Sequence, residues 1–181
     1  SSLAFSLTVF FLAGACAQNK QDRQLPQRID DYVQAKFPSL APGCAVLVAK
    51  GGQIIYKKAH GTANLELNTP MKPGMVFRIG SVTKQYTAIA ILQLMEQGKL
   101  SLQDSMQKFI KDFPYKGHTI TIENLLTHTS GIIGYDALDA KIPFILRMDL
   151  PPTRIIDTLK KQPLQFTPGS KYNYSNSNYY L

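Results

Sequence analysis

The chain has 181 residues, a length that supports one domain with a real core. Apolar residues make up 44% and charged residues 18%, a globular balance that excludes a disordered chain. The formal charge of +8 is scattered, with no run of five like charges; this is a solvated surface or an attraction to an anionic envelope, and without a recognisable motif it gives no reason to expect nucleic acid as a partner.

Residues 1–17 read as a signal peptide clipped at its start. Leu3 to Ala15 is uncharged and apolar, too short for a membrane span and right for a signal core. Two processing readings stand side by side. Ala15-Cys16-Ala17 fits a small-x-small cleavage site, while Leu12 to Cys16 has the form of a lipobox, in which Cys16 would be lipidated and attach the protein to a membrane. Either way the protein is expected to be exported, to the periplasm or cell envelope. Cys44 then remains as a small core residue with no disulfide partner.

Residues 18–25 are a polar tether and residues 26–181 the domain body. A first helix is expected from Pro26 to Phe37, with Ile29, Tyr32, Val33 and Phe37 on its apolar stripe. Pro38 and Pro42-Gly43 end it. A hairpin follows, Ala45 to Lys50 and Gln53 to His60 around a Gly51-Gly52 turn, with Ala63 to Leu67 extending the sheet edge. The strand-like run Val76 to Ile79 leads into Gly80-Ser81. From Tyr86 to Met95 the next helix is apolar nearly all round, which predicts burial in the middle of the protein, and Gly98 stops it. Ser101 and Asp104 form a capping-box pattern ahead of a short helix holding Ser105, Met106, Phe109 and Ile110. Thr121 caps another short helix. Residues 132–152 are irregular, 153–161 helical, and Thr167 to Ser170 a turn.

Ser81-Val82-Thr83-Lys84 stands at the mouth of the apolar helix. Backbone N–H groups in a first helical turn point outward and can stabilise an oxyanion. A lysine three residues on lies over the same face, where burial favours a neutral amine able to take the serine's proton. A Ser cap followed by a solvated Lys fits the four letters equally well. The chain also has a second such motif, Ser105-Met106-Gln107-Lys108, in the setting of a surface connector. No nucleophile elbow, metal-ligand spacing or phosphate-binding loop competes, and His128 reads as a helix-end contact. Tyr174-Ser175-Asn176 shifts the balance to Ser81. A tyrosine beside a lysine is partly deprotonated and can exchange a proton with a serine. Asn176 can bond a substrate amide and help hold Lys84. Tyr172, Tyr179 and Tyr180 read as packing residues.

Three ordered motifs resemble the class C β-lactamase-like serine hydrolases, a group of β-lactamases, D-alanyl-D-alanine carboxypeptidases and esterases. They are Ser81-Val82-Thr83-Lys84, then Leu125 through Gly131 (Leu-Leu-Thr-His-Thr-Ser-Gly), then Pro168-Gly169 with Tyr172, Tyr174, Ser175 and Asn176. Gly98 to Asp104 also looks like the segment after that family's nucleophile helix. The resemblance implies an α+β fold of the β-lactamase/transpeptidase type, with an antiparallel sheet flanked by helices. It implies Ser81 as acylated nucleophile, Lys84 as its activator, Tyr174 as base and Asn176 as the residue orienting a small-molecule or peptide substrate. No metal or cofactor is implied. The family's third motif, a Lys-Thr-Gly or His-x-Gly strand well beyond Tyr174, is absent, as are the later strands and the C-terminal helix. The chain is therefore expected to be an N-terminal fragment, inactive alone. A catalytically silent ligand- or peptidoglycan-binding protein on the same fold is the alternative.

Overall fold

The computed structural model describes residues 24–114, 116–138 and 150–181. The signal and most of the tether expected in residues 1–25 lie outside them. The chain divides into two compact units, one up to Arg78 and one from Ile79 to Leu181.

In the first unit, helix α1 covers residues 24–36. Val33 is buried and Leu25, Pro26, Ile29 and Asp30 are half-buried, a stripe at helical spacing. Tyr32, expected on that stripe, is 69% exposed. Asp30 takes the inner edge instead because the hairpin supplies partners for it. It accepts hydrogen bonds of 2.8 Å from both Tyr56 Oη and Lys58 Nζ. Tyr56 Oη also lies 2.7 Å from His60 Nε2. Burial, then the bond to Asp30, pushes the Tyr56 phenol up to about 12.

Strands β1 (Cys44–Lys50) and β2 (Gln53–His60) pair antiparallel, with Lys50 opposite Gln53. The two-residue connection needs positive φ at both positions, and Gly51 and Gly52 provide it at 57° and 77°. Along β1, Cys44, Val46 and Val48 turn inward while Ala45, Leu47 and Ala49 are exposed, the period-two pattern of a half-covered sheet. The expected extension over 63–67 takes another form. Strand β3 (Thr62–Asn64) pairs with β4 (Thr69–Pro70) in a separate two-stranded sheet. The chain turns back because Asn64 Oδ1 accepts the Leu67 N–H at 2.7 Å, a local bond that competes with strand extension. Val76 to Phe77 form no strand, and Val76 is 99% exposed; no described strand pairs with their backbone.

The second unit opens with a 3-10 turn, Gly80–Val82, that runs into helix α2, Thr83–Glu96. Gly98, at φ 68°, ends it, and Lys99 N–H reaches back to the Leu94 carbonyl at 3.0 Å, the bond that closes a left-handed helix stop. No residue of α2 is buried among the described residues, where the composition of the helix leads to the expectation of a central one. Lys84, Ala88, Ile91, Leu94 and Met95 form one half-buried stripe, and Tyr86, Ile89 and Leu92 are exposed. The described elements of this unit cover only that stripe.

The core of the unit gathers elsewhere, from Met106, Phe113, Ile120, Leu125, Ile132, Leu138, Ile155 and Leu159. Asp104 Oδ2 does accept the Ser101 N–H at 2.9 Å, but a turn follows instead of a helix. Ser105 then caps the 3-10 turn Met106–Lys108 and donates to Gln107 Oε1. Helix α3 (Ile122–Leu126) carries a full capping box between Thr121 and Asn124. Of the irregular region, residues 132–138 and 150–152 are described, with a 3-10 turn at Tyr135–Leu138. Helix α4 (Pro152–Lys160) buries Ile155 and Leu159 at i, i+4. The chain ends in helix α5, Asn176–Tyr180.

Candidate active site

All four residues singled out for chemistry lie in the second unit and meet there. Ser81 and Lys84 come from the start of α2. Ser81 sits in the opening turn, and the three-residue spacing puts Lys84 on the same face. Tyr174 comes from the segment leading into α5 and Asn176 is the first residue of that helix.

Ser81 Oγ lies 2.7 Å from Tyr174 Oη. Lys84 Nζ donates to Ser81 Oγ at 3.5 Å and to Asn176 Oδ1 at 2.7 Å. The same ammonium stands 4.8 Å from the centre of the Tyr174 ring and 5.6 Å from that of Tyr179, within cation–π range. The Lys84 ammonium and then the Ser81 hydroxyl hold the Tyr174 phenol below its ordinary value. Chemically, this is a hydroxyl hydrogen-bonded to a phenol whose anion a cation favours, beside an amide whose NH₂ is free of the lysine contact. A shallow pocket lined by Gly80, Thr83, Lys84, Thr87, Tyr135 and Asn176, among others, opens next to it. Among the described residues, no group of three or more His, Cys, Asp or Glu side chains could hold a metal ion.

The second motif is arranged otherwise. Ser105 is occupied as a cap, and Lys108 pairs with Asp104 at 2.7 Å.

The segment carrying Tyr174 and Asn176 is held against the residues after α3. Thr129 and His128 carbonyls accept the N–H groups of Gly169 and Asn173 at 2.8 and 2.9 Å, and Gln165 N–H bonds the Gly131 carbonyl at 2.8 Å. Gly131, at φ 78°, leaves no room for a side chain: a Cβ there would stand 2.2 Å from the Phe166 carbonyl oxygen. Ser177 Oγ joins Ile133 and Tyr135, accepting the Tyr135 N–H at 2.8 Å and donating to the Ile133 carbonyl at 2.7 Å.

One residue at the site was read from sequence as no more than a helix-end contact. His128 does end α3, at φ 58°, but its buried ring lies 4.5 Å from that of Tyr174. No sequence signal points to this placement; the structure marks it as a residue other than glycine in the left-handed region after a helix. Tyr179, expected to pack, does so and donates to the Leu126 carbonyl at 3.0 Å. Tyr172, also expected to pack, is 68% exposed.

Residues 27–181 match the family model described as Beta-lactamase. Esterase EstB of Burkholderia gladioli is 34% identical over 147 residues, which are 74% of this chain and 37% of that protein. Penicillin-binding protein 4* of Bacillus subtilis (strain 168) is 34% identical over 142 residues, 75% of this chain and 30% of that protein. The chain thus spans about a third of the length of these curated relatives. Among solved structures, the octameric penicillin-binding protein homologue from Pyrococcus abyssi superposes with a TM-score of 0.67 at 31% identity, covering 88% of this chain and 37% of that one. A fold of the β-lactamase/transpeptidase type accounts for the helices and small antiparallel sheets described above. The matched span, the relatives and the shared fold agree, and the chain belongs to the β-lactamase family.

Proposed function

We propose that this chain carries the nucleophile and its proton-transfer partners for an exported serine hydrolase that works through an acyl-enzyme on Ser81. The observation that supports this most is the 2.7 Å contact between Ser81 Oγ and Tyr174 Oη with Lys84 beside both. Ser81 Oγ attacks the carbonyl carbon of an amide or ester while its proton passes to Tyr174. The oxyanion forms near the opening turn of α2, beside the Ser81 backbone N–H, since the N–H groups of Val82 and Thr83 are bonded to the Ile79 and Gly80 carbonyls. As the tetrahedral species collapses, the bond to the leaving group breaks and Tyr174 returns the proton to it. Water then attacks the acyl-enzyme, again losing its proton to Tyr174, and Ser81 leaves with a proton restored. Lys84 is the activator, favouring the phenolate of Tyr174. Asn176, anchored by its Oδ1 on Lys84, directs its NH₂ to the substrate.

The substrate class is a β-lactam, a peptide of the D-alanyl-D-alanine type or a small ester. Export, with a lipid on Cys16 as one form of it, belongs to the same reading and rests on the apolar stretch from Leu3 to Ala15. The test is hydrolysis of a panel of p-nitrophenyl esters, D-alanyl-D-alanine peptides and β-lactams by the full-length protein and its Ser81→Ala variant. Turnover of at least one class, lost in the variant, is expected. Turnover that survives the substitution sinks Ser81 as nucleophile, and covalent labelling with no turnover on any class favours a silent binding protein.

A further inference from the structure

The proposed chemistry leaves one buried titratable side chain beside Tyr174 without a role, His128. Nδ1 of this ring faces two donors. The Ser175 N–H lies 3.2 Å away and the Asn178 side-chain nitrogen 3.4 Å. The orientation of Asn178 follows from its other end: Oδ1 accepts the Ser130 hydroxyl at 2.6 Å, and that hydroxyl oxygen accepts the Ile132 N–H at 3.0 Å. The backbone N–H of Ser175 can only donate, and Nδ1 must carry a lone pair. An imidazolium has none to offer. The face of the ring lies 4.5 Å from Tyr174 and 5.3 Å from Tyr179, centroid to centroid, and its edge meets Tyr172. Its own carbonyl holds the Asn173 N–H. One residue thus grips the backbone on both sides of Tyr174 and stacks on its ring.

Resting on the reading of Ser81 and Tyr174 given above, we propose that His128 is a positioning residue, whose neutral imidazole holds the Tyr174 phenol at hydrogen-bond distance from Ser81 and whose protonation dismantles that arrangement. The charged and titratable groups around it are few. Lys84 approaches from α2, Tyr172 and Tyr174 from the segment before α5, and Tyr179 from α5. Glu123 of α3 turns away to Gln103 at 2.6 Å, and Asp136 acts on Tyr174 rather than on the ring. No carboxylate among these groups compensates a positive charge on the imidazole. Burial, and then the Lys84 ammonium, hold the ring's affinity for a proton below the ordinary histidine value.

The consequence is an acid limit on turnover. As pH falls below about 6.5, the ordinary value, and through the lower value of the buried ring, Nδ1 gains a proton, the Ser175 N–H and the Asn178 amide lose their acceptor, and a second cation joins Lys84 beside the phenol.

The experiment measures kcat/KM against pH for a p-nitrophenyl ester in the full-length protein, the His128→Asn and His128→Gly variants and the Ser81→Ala control. Rates are normalised to the number of Ser81 side chains that a fluorophosphonate titrates to completion. Asn and Gly both tolerate the left-handed backbone at this position. Asn keeps an oxygen acceptor near the place of Nδ1 but cannot titrate. For His128→Asn the extra fall below pH 6.5, beyond the slope that protonation of Tyr174 gives, is expected to vanish, with kcat/KM at pH 8 within about tenfold of wild type, because the acceptor is retained. For His128→Gly a fall of about 10²-fold in kcat is expected, as for a reacting group displaced by about an ångström. The same extra fall below pH 6.5 in His128→Asn as in wild type, or wild-type kcat per titrated serine in His128→Gly, overturns the proposal. Turnover in Ser81→Ala instead overturns the reading on which it rests, so the two failures are told apart.

Discussion

Tyr174 is the side chain of the site on which the proposed proton transfers turn. Its phenol is held below the ordinary value by Lys84 and by Ser81, so phenolate becomes more populated as pH rises toward that lowered value. If phenolate is the base, kcat/KM climbs with pH and levels off below about 10, the ordinary tyrosine value. Replacing Lys84 by Met removes the cation that does most to lower the phenol, and the alkaline rise is expected to move up in pH while the plateau falls. Tyr174→Phe is expected to cost about 10²- to 10⁴-fold in kcat/KM, the usual contribution of a positioned base, with an unchanged melting temperature. An alkaline rise that stays in place in Lys84→Met would detach Lys84 from Tyr174. At this scale, the pair Ser81 and Lys84 was readable from sequence because a three-residue spacing on a helix dictates a shared face. Tyr174 and Asn176 stood out through the chemistry of a phenol near a lysine and through the motif that resembles the family's Tyr-x-Asn, not through local geometry. His128 was not, since its partners at 175 and 178 reach it only through tertiary packing.

At the scale of elements, the segment after α3 is the piece that brings the two halves of the site together. Gly131 shows how tightly it is held. An alanine there would have to keep φ near 78° and place Cβ 2.2 Å from the Phe166 carbonyl oxygen. The left-handed backbone alone costs roughly 1–2 kcal/mol, and the clash adds to it. Gly131→Ala is therefore expected to lower stability by more than about 2 kcal/mol in urea titration, and to reduce turnover with it, because the displaced segment after Phe166 leads to Tyr174. A variant as stable as wild type would show that this approach is not needed. The helix stop at Gly98, the cap at Thr121 and the Gly51-Gly52 turn were all legible, since each is a local device whose chemistry is written in adjacent residues. The run from Val76 to Ile79 and the extension over 63–67 were misread because a strand is defined by its partner. Asn64 offered Leu67 a local bond in place of one.

For the whole molecule, the informative surface is α2. Its composition predicts a helix covered on every side, yet Tyr86, Ile89 and Leu92 are 63%, 52% and 40% exposed. An apolar face of this kind marks a surface that another element or chain covers. The 181-residue chain by itself is accordingly expected to bind a hydrophobic dye such as ANS and to melt without a sharp transition, a behaviour that calorimetry and dye fluorescence read directly. A cooperative melt with no dye binding would contradict it. Here periodicity informs about what a helix is suited to, and the covering of that helix depends on residues distant in sequence. Family membership and fold type were legible from three ordered motifs, whereas the choice among β-lactam, peptide and ester depends on residues that shape the rest of the pocket.

The most direct test of the account is the position of a covalent adduct. Full-length protein is incubated with a fluorophosphonate or a fluorescent penicillin, digested, and mapped by peptide mass spectrometry. The adduct is predicted on Ser81, absent in Ser81→Ala, with Ser105 unmodified in both. An adduct on Ser105, or one that persists elsewhere in Ser81→Ala at wild-type yield, would contradict the central claim.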